Sequence, residues 1–130
     1  MEREILFRGQ DLFTKEWRYG FYYESEHGMG YIQIQPPGEK FNHWQVYPET
    51  VGQYTGRKDS EGQKIFEGDI IEAWVKNPGI IVFDKGSFFG IKYKNNLTTY
   101  LCKYGTHELK KIGNIHDNPE LLSRQEILDN

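Results

Sequence analysis

The sequence predicts an all-β protein, mainly strands with one short helix near its C-terminus, and three observations carry that expectation. The hydrophobic residues are of the sheet-forming kind: 8 Phe, 9 Tyr and 3 Trp stand beside 12 Ile, while alanine occurs once, at Ala73. Aromatic and β-branched side chains suit a pleated, half-buried surface, whereas Ala and Leu favour helices. The 14 Gly and 5 Pro punctuate the chain at short intervals, and between them apolar and polar residues alternate with the period of a strand. At 130 residues the chain suits one domain, or two small ones, and folds without disulfide staples.

The elements follow in order. Ile5-Leu6-Phe7-Arg8 reads as a strand ended by Gly9. Glu16 to Tyr23 is a second strand, and the two-residue period puts Trp17, Tyr19, Phe21 and Tyr23 on one face. A polar connection from Glu24 to Gly30 leads to Tyr31–Gln35, closed by Pro36-Pro37-Gly38 because proline cannot donate to a ladder. Trp44 to Tyr47 is short and strand-like, and Pro48 marks a boundary.

Beyond it, Val51–Thr55 and Gln63–Phe66 flank a loop with hairpin chemistry, Gly56 to Gly62, and Glu67-Gly68-Asp69 makes a tight corner. Ile70 to Val75 places Ile71, Ala73 and Val75 on one face and Trp74 on the other. After the turn Asn77-Pro78-Gly79, Ile80-Ile81-Val82-Phe83 is apolar throughout and reads as a central strand covered on both sides. Phe88 to Lys94 alternates Ile91 and Tyr93 with Lys92 and Lys94, the pattern of a strand with one wet face, and Leu97 to Tyr104 follows. Five short strands about ten residues apart suggest a small barrel rather than an open sheet. Asn118-Pro119-Glu120 then supplies a cap residue, a proline and an acid, the start of a short helix over 119–128. The expected organisation is an N-terminal β segment over 1–47 packed on a barrel over 48–117, with a helix and tail over 118–130.

Composition bounds the function. The net charge is −3 and the hydrophobic and charged fractions are 37% and 27%, too polar for a chain that spans a bilayer. No apolar run approaches the roughly 18 residues that a span requires. One cysteine, Cys102, leaves no internal disulfide to form, and Met1 to Arg8 lacks a basic region followed by an apolar stretch, so a soluble cytoplasmic protein is expected. Asn96-Leu97-Thr98 matches a glycosylation acceptor only by chance in that setting.

Three stretches resemble the YopX family of phage and prophage proteins, whose function is unknown. They are Ile5 to Gly9 with Trp17 to Tyr22; Pro48 to Gly56 running on to Ile65-Phe66-Glu67-Gly68-Asp69-Ile70; and Ile112-Gly-Asn-Ile-His-Asp-Asn-Pro-Glu-Leu121. The resemblance implies an SH3-type barrel in the C-terminal part, a phage or prophage origin and a bacterial cytoplasm. It brings no catalytic residue and no cofactor.

The shared run around 48–70 reads first as scaffold. Gly52, Gly56, Gly62 and Gly68 suit turns or close backbone approach, and Asp59 and Asp69 can accept local backbone N–H bonds. Dinucleotide, P-loop and calcium-loop patterns fail: Gly28-Met29-Gly30 lacks its third glycine, no glycine precedes a lysine, and Asp59-Ser60-Glu61-Gly62 puts its glycine two positions early. Cys102, His107 and His116 have no zinc-site spacing, with His27 and His43 far off; Cys102, read as mid-strand, behaves as a small hydrophobe. The acid pairs Glu24/Glu26 and Glu67/Asp69 lie in polar turns, where nothing raises a pKa for acid–base work. No catalytic, metal or cofactor site is therefore expected, and the chain is read as non-enzymatic.

Two binding readings remain. The aromatics exceed what a small barrel interior holds, since each buries roughly 150–250 Å². Trp17, Trp44, Trp74, Phe88 and Phe89 then form either an interaction surface, for a second copy or a host or phage protein, or a second core. The alternative is a single-stranded nucleic-acid binder using Lys92, Lys94 and Lys103 beside Phe88, Phe89, Tyr93, Tyr100 and Tyr104. The net charge of −3 weighs against it.

Overall fold

The structure, a computed structural model, describes residues 4–24, 30–34, 42–73 and 77–122, with backbone only over 30–34 and at 42. It is mainly β, as expected, and divides into two compact units, Met1–Tyr54 and Thr55–Asn130. In the first unit β1 (Phe7–Gln10), β2 (Trp17–Glu24), β3 (Gly30–Ile34) and β4 (Asn42–Val46) form an antiparallel sheet in the order β4-β3-β2-β1. β5 (Gly52–Lys58) adds to the far side of β1, with Phe7 opposite Gln53 and Arg8 opposite Gly52.

The β1–β2 hairpin turns on a buried acid. Asp11 Oδ1 accepts the N–H groups of Phe13 and Thr14 at 2.8 and 3.1 Å, while Oδ2 accepts Arg18 Nε at 3.0 Å. Burial alone would raise this carboxyl, but those donors and the Arg18 charge hold it below the ordinary range. The sheet also curls: Leu12 N–H donates to Gln45 O at 2.9 Å and Tyr47 N–H to Gln10 O at 3.0 Å, so the end of β4 is bonded on both sides. The curl seals Val46, which is fully buried on the face that also carries Phe7, Arg18, Tyr22 and Trp44.

In the second unit β6 (Lys64–Phe66) pairs with β5. A five-stranded antiparallel sheet follows, built from β7 (Asp69–Glu72), β8 (Pro78–Asp84), β9 (Phe88–Lys92), β10 (Thr98–Tyr100) and β11 (Lys110–Asn114) in the order β10-β9-β8-β7-β11. β6, β7, β8 and β9 give Ile65, Ile71, Ile81 and Ile91 to a core that Leu101 and Leu109, outside the strands, complete, with Ala73, Phe89, Tyr93 and Tyr104 against it. Each buried aliphatic side chain contributes about 1.5–3 kcal/mol. Burial, with a hydrogen bond to Tyr104, pushes the Tyr93 phenol up to about 12.

Several expectations are corrected here. The described residues contain no closed barrel, because β10 and β11 are the open edges of their sheet. The expected strand from Leu97 to Tyr104 stops at Tyr100. The chain then leaves the sheet in two 3-10 turns, Leu101–Lys103 and Thr106–Glu108, each followed by an N–H closing back onto its own turn. The Arg57 guanidinium fixes the first of them, donating to Leu101 O at 3.3 Å and Tyr104 O at 2.5 Å. Leu101 is thereby driven into the core, while Cys102 beside it is exposed rather than buried mid-strand. β8 is central, yet it is not covered on both sides: Ile80 and Val82 on one face are only half-buried, and on the other Ile81 is sealed while Phe83 is 45% exposed. Trp74, Val75, His27, Glu26, Gly28, Met29, the Pro36-Pro37-Gly38 turn and residues 123–128 of the expected helix lie outside the described residues.

The motif turns are held by polar side chains. Asp59, 1% exposed, accepts Glu61 N–H and Gln63 N–H on Oδ1 at 2.9 Å each, and Lys111 N–H on Oδ2 at 3.0 Å. Asp69, fully buried, accepts Phe66 N–H at 2.6 Å and the Lys111 ammonium at 3.2 Å. Gly56, Gly62 and Gly68 lie at positive φ; Gly52 does not, and sits in β5 opposite Arg8. The helix start is described only over 120–122. There Asn118 turns its side chain backwards, accepting Asn114 N–H at 3.2 Å, while its carbonyl accepts Leu121 N–H at 3.1 Å. Asn114 in turn accepts the N–H groups of His116 and Asp117, both at 2.9 Å.

Burial alone would raise the Asp59 carboxyl, but its three backbone donors and the nearby Lys111 charge hold it below its ordinary value of 3.8. Asp59→Ala strands three donors and is expected to cost about 4 kcal/mol in urea unfolding, whereas Asp59→Asn, which faces Lys111 N–H with a nitrogen, costs about 2 kcal/mol. The depressed folded-state pKa sets the sign of the pH effect. The wild-type contribution is complete above about pH 4 and is lost as pH falls through the lower folded value. Stability curves of wild type and Asp59→Asn should therefore converge on acidification.

Candidate functional site

Among the described residues two surfaces present chemistry to solvent, one in each unit. In the first, β2 alternates between an inward face and an open one. Tyr19, Phe21 and Tyr23 are 42%, 56% and 42% exposed. Directly paired residues of neighbouring strands share a face, so Arg8 and Gln10 of β1 and His43 and Gln45 of β4 accompany this row. Tyr23 Oη meets His43 Nδ1 at 3.1 Å, with the rings edge to face. Arg8 is 2% exposed, its guanidinium stacked 4.7 Å above the Trp17 ring. The row is an aromatic strip without an exposed charged side chain among its described strand neighbours.

In the second unit the register of β8, β9 and β10 builds a hollow of about 500 Å³. Phe88, Gly90 and Lys92 share one face of β9; Asp84 lies opposite Phe88, Thr98 opposite Lys92, and Tyr100 opposite Gly90. Gly90 has no room for a side chain: a Cβ there would lie 2.8 Å from Thr98 Cγ2 and from Thr99 O. Across that gap the Phe88 and Tyr100 rings approach to 4.4 Å, tilted by 44°. Lys85, Lys92, Asn96 and Leu97 complete the lining. A smaller cavity of about 230 Å³ lies on the other side of the ring pair, lined by Thr55, Arg57, Phe89, Leu101 and Cys102 as well.

The residues singled out from sequence fall apart into different settings. Trp17 is half-buried beneath Arg8, and Trp44 is half-buried with the Arg18 guanidinium 4.8 Å above its ring. Phe89 packs against the core and against Phe83 at 5.0 Å, while Phe88 pairs with Tyr100 and Trp74 lies outside the described residues. Of the three lysines, Lys92 lines the hollow, whereas Lys94 and Lys103 do not. Among the described residues no group of three His, Cys, Asp or Glu side chains could hold a metal ion. The sequence reading missed Tyr19, Phe21 and Tyr23 as surface, although it had placed them on one face; β2 is aromatic on both faces through Tyr22, so periodicity alone does not say which face is wet. It also missed Lys85, whose place at the hollow follows from the Asp84–Ser87 turn.

A family model described as YopX protein matches residues 6–123. The chain belongs to the YopX family. Two solved structures share its fold. Protein EF1440 from Enterococcus faecalis is 23% identical, with a TM-score of 0.54 over 93% of this chain and 99% of that one. Protein yopX from Bacillus subtilis is 14% identical, with a TM-score of 0.53 over 93% of this chain and 97% of that one. No curated protein matches the chain. The runs that resemble the YopX family around 48–70 and 112–121 coincide with the Asp59, Asp69 and Asn114 turns, so in this chain they serve the scaffold directly.

The position of Cys102 leads to a simple check. In this YopX-family chain its thiol is exposed on a 3-10 turn, so it should react with a thiol reagent in the native protein nearly as fast as in urea. A native rate suppressed a hundredfold would place it inside the fold instead.

Proposed function

We propose that this protein is a non-enzymatic interaction module of a phage or prophage, working in the bacterial cytoplasm, which self-associates through the open face of β2. The observation that carries the reading is the row Tyr19, Phe21 and Tyr23, three exposed aromatics in alternate positions of one strand. Aromatic side chains enrich the centres of protein interfaces, and rigid rings lose little entropy when they are covered. The occupant is a second copy, for an electrostatic reason. The chain carries a net charge of −3, so two copies repel wherever acidic surface meets acidic surface. This strip removes that cost, because Gln10, His43 and Gln45 flank it and its arginine is buried under the sheet's own contacts. A two-fold axis through Phe21 would lay the strip against itself, each ring meeting its own counterpart or the next in the row. No helix among the described residues is long and apolar enough to cross a membrane.

Sedimentation velocity on the full chain should give a dimer, and Tyr19→Ser combined with Phe21→Ser should give a monomer with unchanged circular dichroism. A wild type that stays monomeric at high concentration, or a double variant that still dimerises, defeats the reading.

A further inference from the structure

We infer that the hollow on the outer face of β8, β9 and β10 binds a nucleotide unit, its base against the Phe88–Tyr100 ring pair and its phosphate on Lys85 and Lys92. The inference stands on a different unit and different residues from the self-association reading, and neither depends on the other.

Four features of the hollow point the same way. Its volume of about 500 Å³ lies within the range of small-molecule sites. Its apolar wall is aromatic and accessible: Tyr100 is 51% exposed and packs against Phe88 with the ring centroids 4.4 Å apart, so a flat ring can lie against the exposed face of Tyr100. Stacking of a base on such a side chain is favourable and tolerates any base.

The charge at the rim is the third feature. Lys85 and Lys92 against Asp84 leave this lining net positive in a chain of net charge −3. An anion is therefore favoured here although the whole molecule does not attract one. Asp84 and Asn96 add acceptors and a donor that could meet the edge of a base, so the lining is mixed in the way a base-plus-phosphate ligand requires.

The backbone supplies the fourth. Gly90, on the same strand face as Phe88 and Lys92, leaves no room for a side chain beside Thr98 and Thr99 O, so Thr98, which lines the hollow, packs directly on the β9 backbone. The rim is set by two hairpin turns that hold non-glycine residues in left-handed conformation, Lys85 at φ 52° and Asn96 at φ 69°. Such conformations are uncommon for residues with a side chain and persist where the surroundings impose them. Both residues line the same hollow, one from each end of β9.

The same chemistry could come from a free mononucleotide or from one residue of a single strand, and the two are separable. Full-length protein would be titrated with adenosine monophosphate in one arm and with a fluorescein-labelled oligothymidylate in the other, following amide NMR shifts and anisotropy. Binding in the first arm, with shifts at Lys92, Thr98 and Tyr100, identifies a free nucleotide; binding of the oligonucleotide alone identifies a single strand. Lys92→Glu should weaken either by tenfold or more and flatten its salt dependence. Tyr100→Ala should weaken it tenfold with the salt dependence kept. Both side chains are exposed, and unchanged circular dichroism would show that each variant is folded. Absence of binding in both arms, or binding that neither substitution alters, overturns the inference.

Discussion

Buried carboxylates that take their hydrogen bonds from the backbone of their own turns organise both units. Asp11 collects Phe13 and Thr14 in the first unit; Asp59 collects Glu61 and Gln63 in the second, and reaches across to Lys111 on β11. A charge without partners would be costly at such depth, and a loop amide without an acceptor would be costly too. Joining the two removes both penalties and leaves the turn one conformation. Lys111 extends the arrangement, since its backbone serves Asp59 while its ammonium serves Asp69 at 3.2 Å. One residue of β11 thus ties the β5–β6 loop to the β6–β7 corner, and β11 stays on the edge of its sheet.

From that frame the two open surfaces follow. With β7 held by β11 on one side and β8 on the other, the order runs outward to β9 and β10, and their direct pairing brings Lys92 to Thr98 and Gly90 to Tyr100. The core face of those strands is filled by Ile81 and Ile91, which leaves the alternate positions to line the hollow. In the first unit the curl of β4 onto Leu12 seals Val46 and turns the Phe7 side of the sheet inward, so Tyr19, Phe21 and Tyr23 are left outside.

Much of this was legible beforehand wherever the cause is local. Membership of the YopX family could be read from three runs, and the family match over residues 6–123 spans them. The alternation around Ile91 places that side chain in the core and Lys92 outside, as its period requires. Asp59 and Asp69 are turn acids by type and spacing, and they act as such. The reading ran out at Cys102, where Leu97 to Tyr104 looks like one strand but breaks at Leu101. The guanidinium of Arg57, 44 residues away in sequence, caps that break, and no local pattern carries such a contact.

By itself the sequence determined the β character, the family and the turns, because composition, two-residue period and side-chain-to-backbone hydrogen bonds act over a few neighbouring residues. Only the tertiary structure decided which face of the doubly aromatic β2 meets water, that β10 ends at an open edge rather than closing a barrel, and that Phe88, Tyr100, Lys85 and Lys92 share one hollow. Those outcomes depend on which strands pair and in what register. Register is chosen by the burial of a whole face against distant residues, so it is a property of the assembled sheet and not of any one strand.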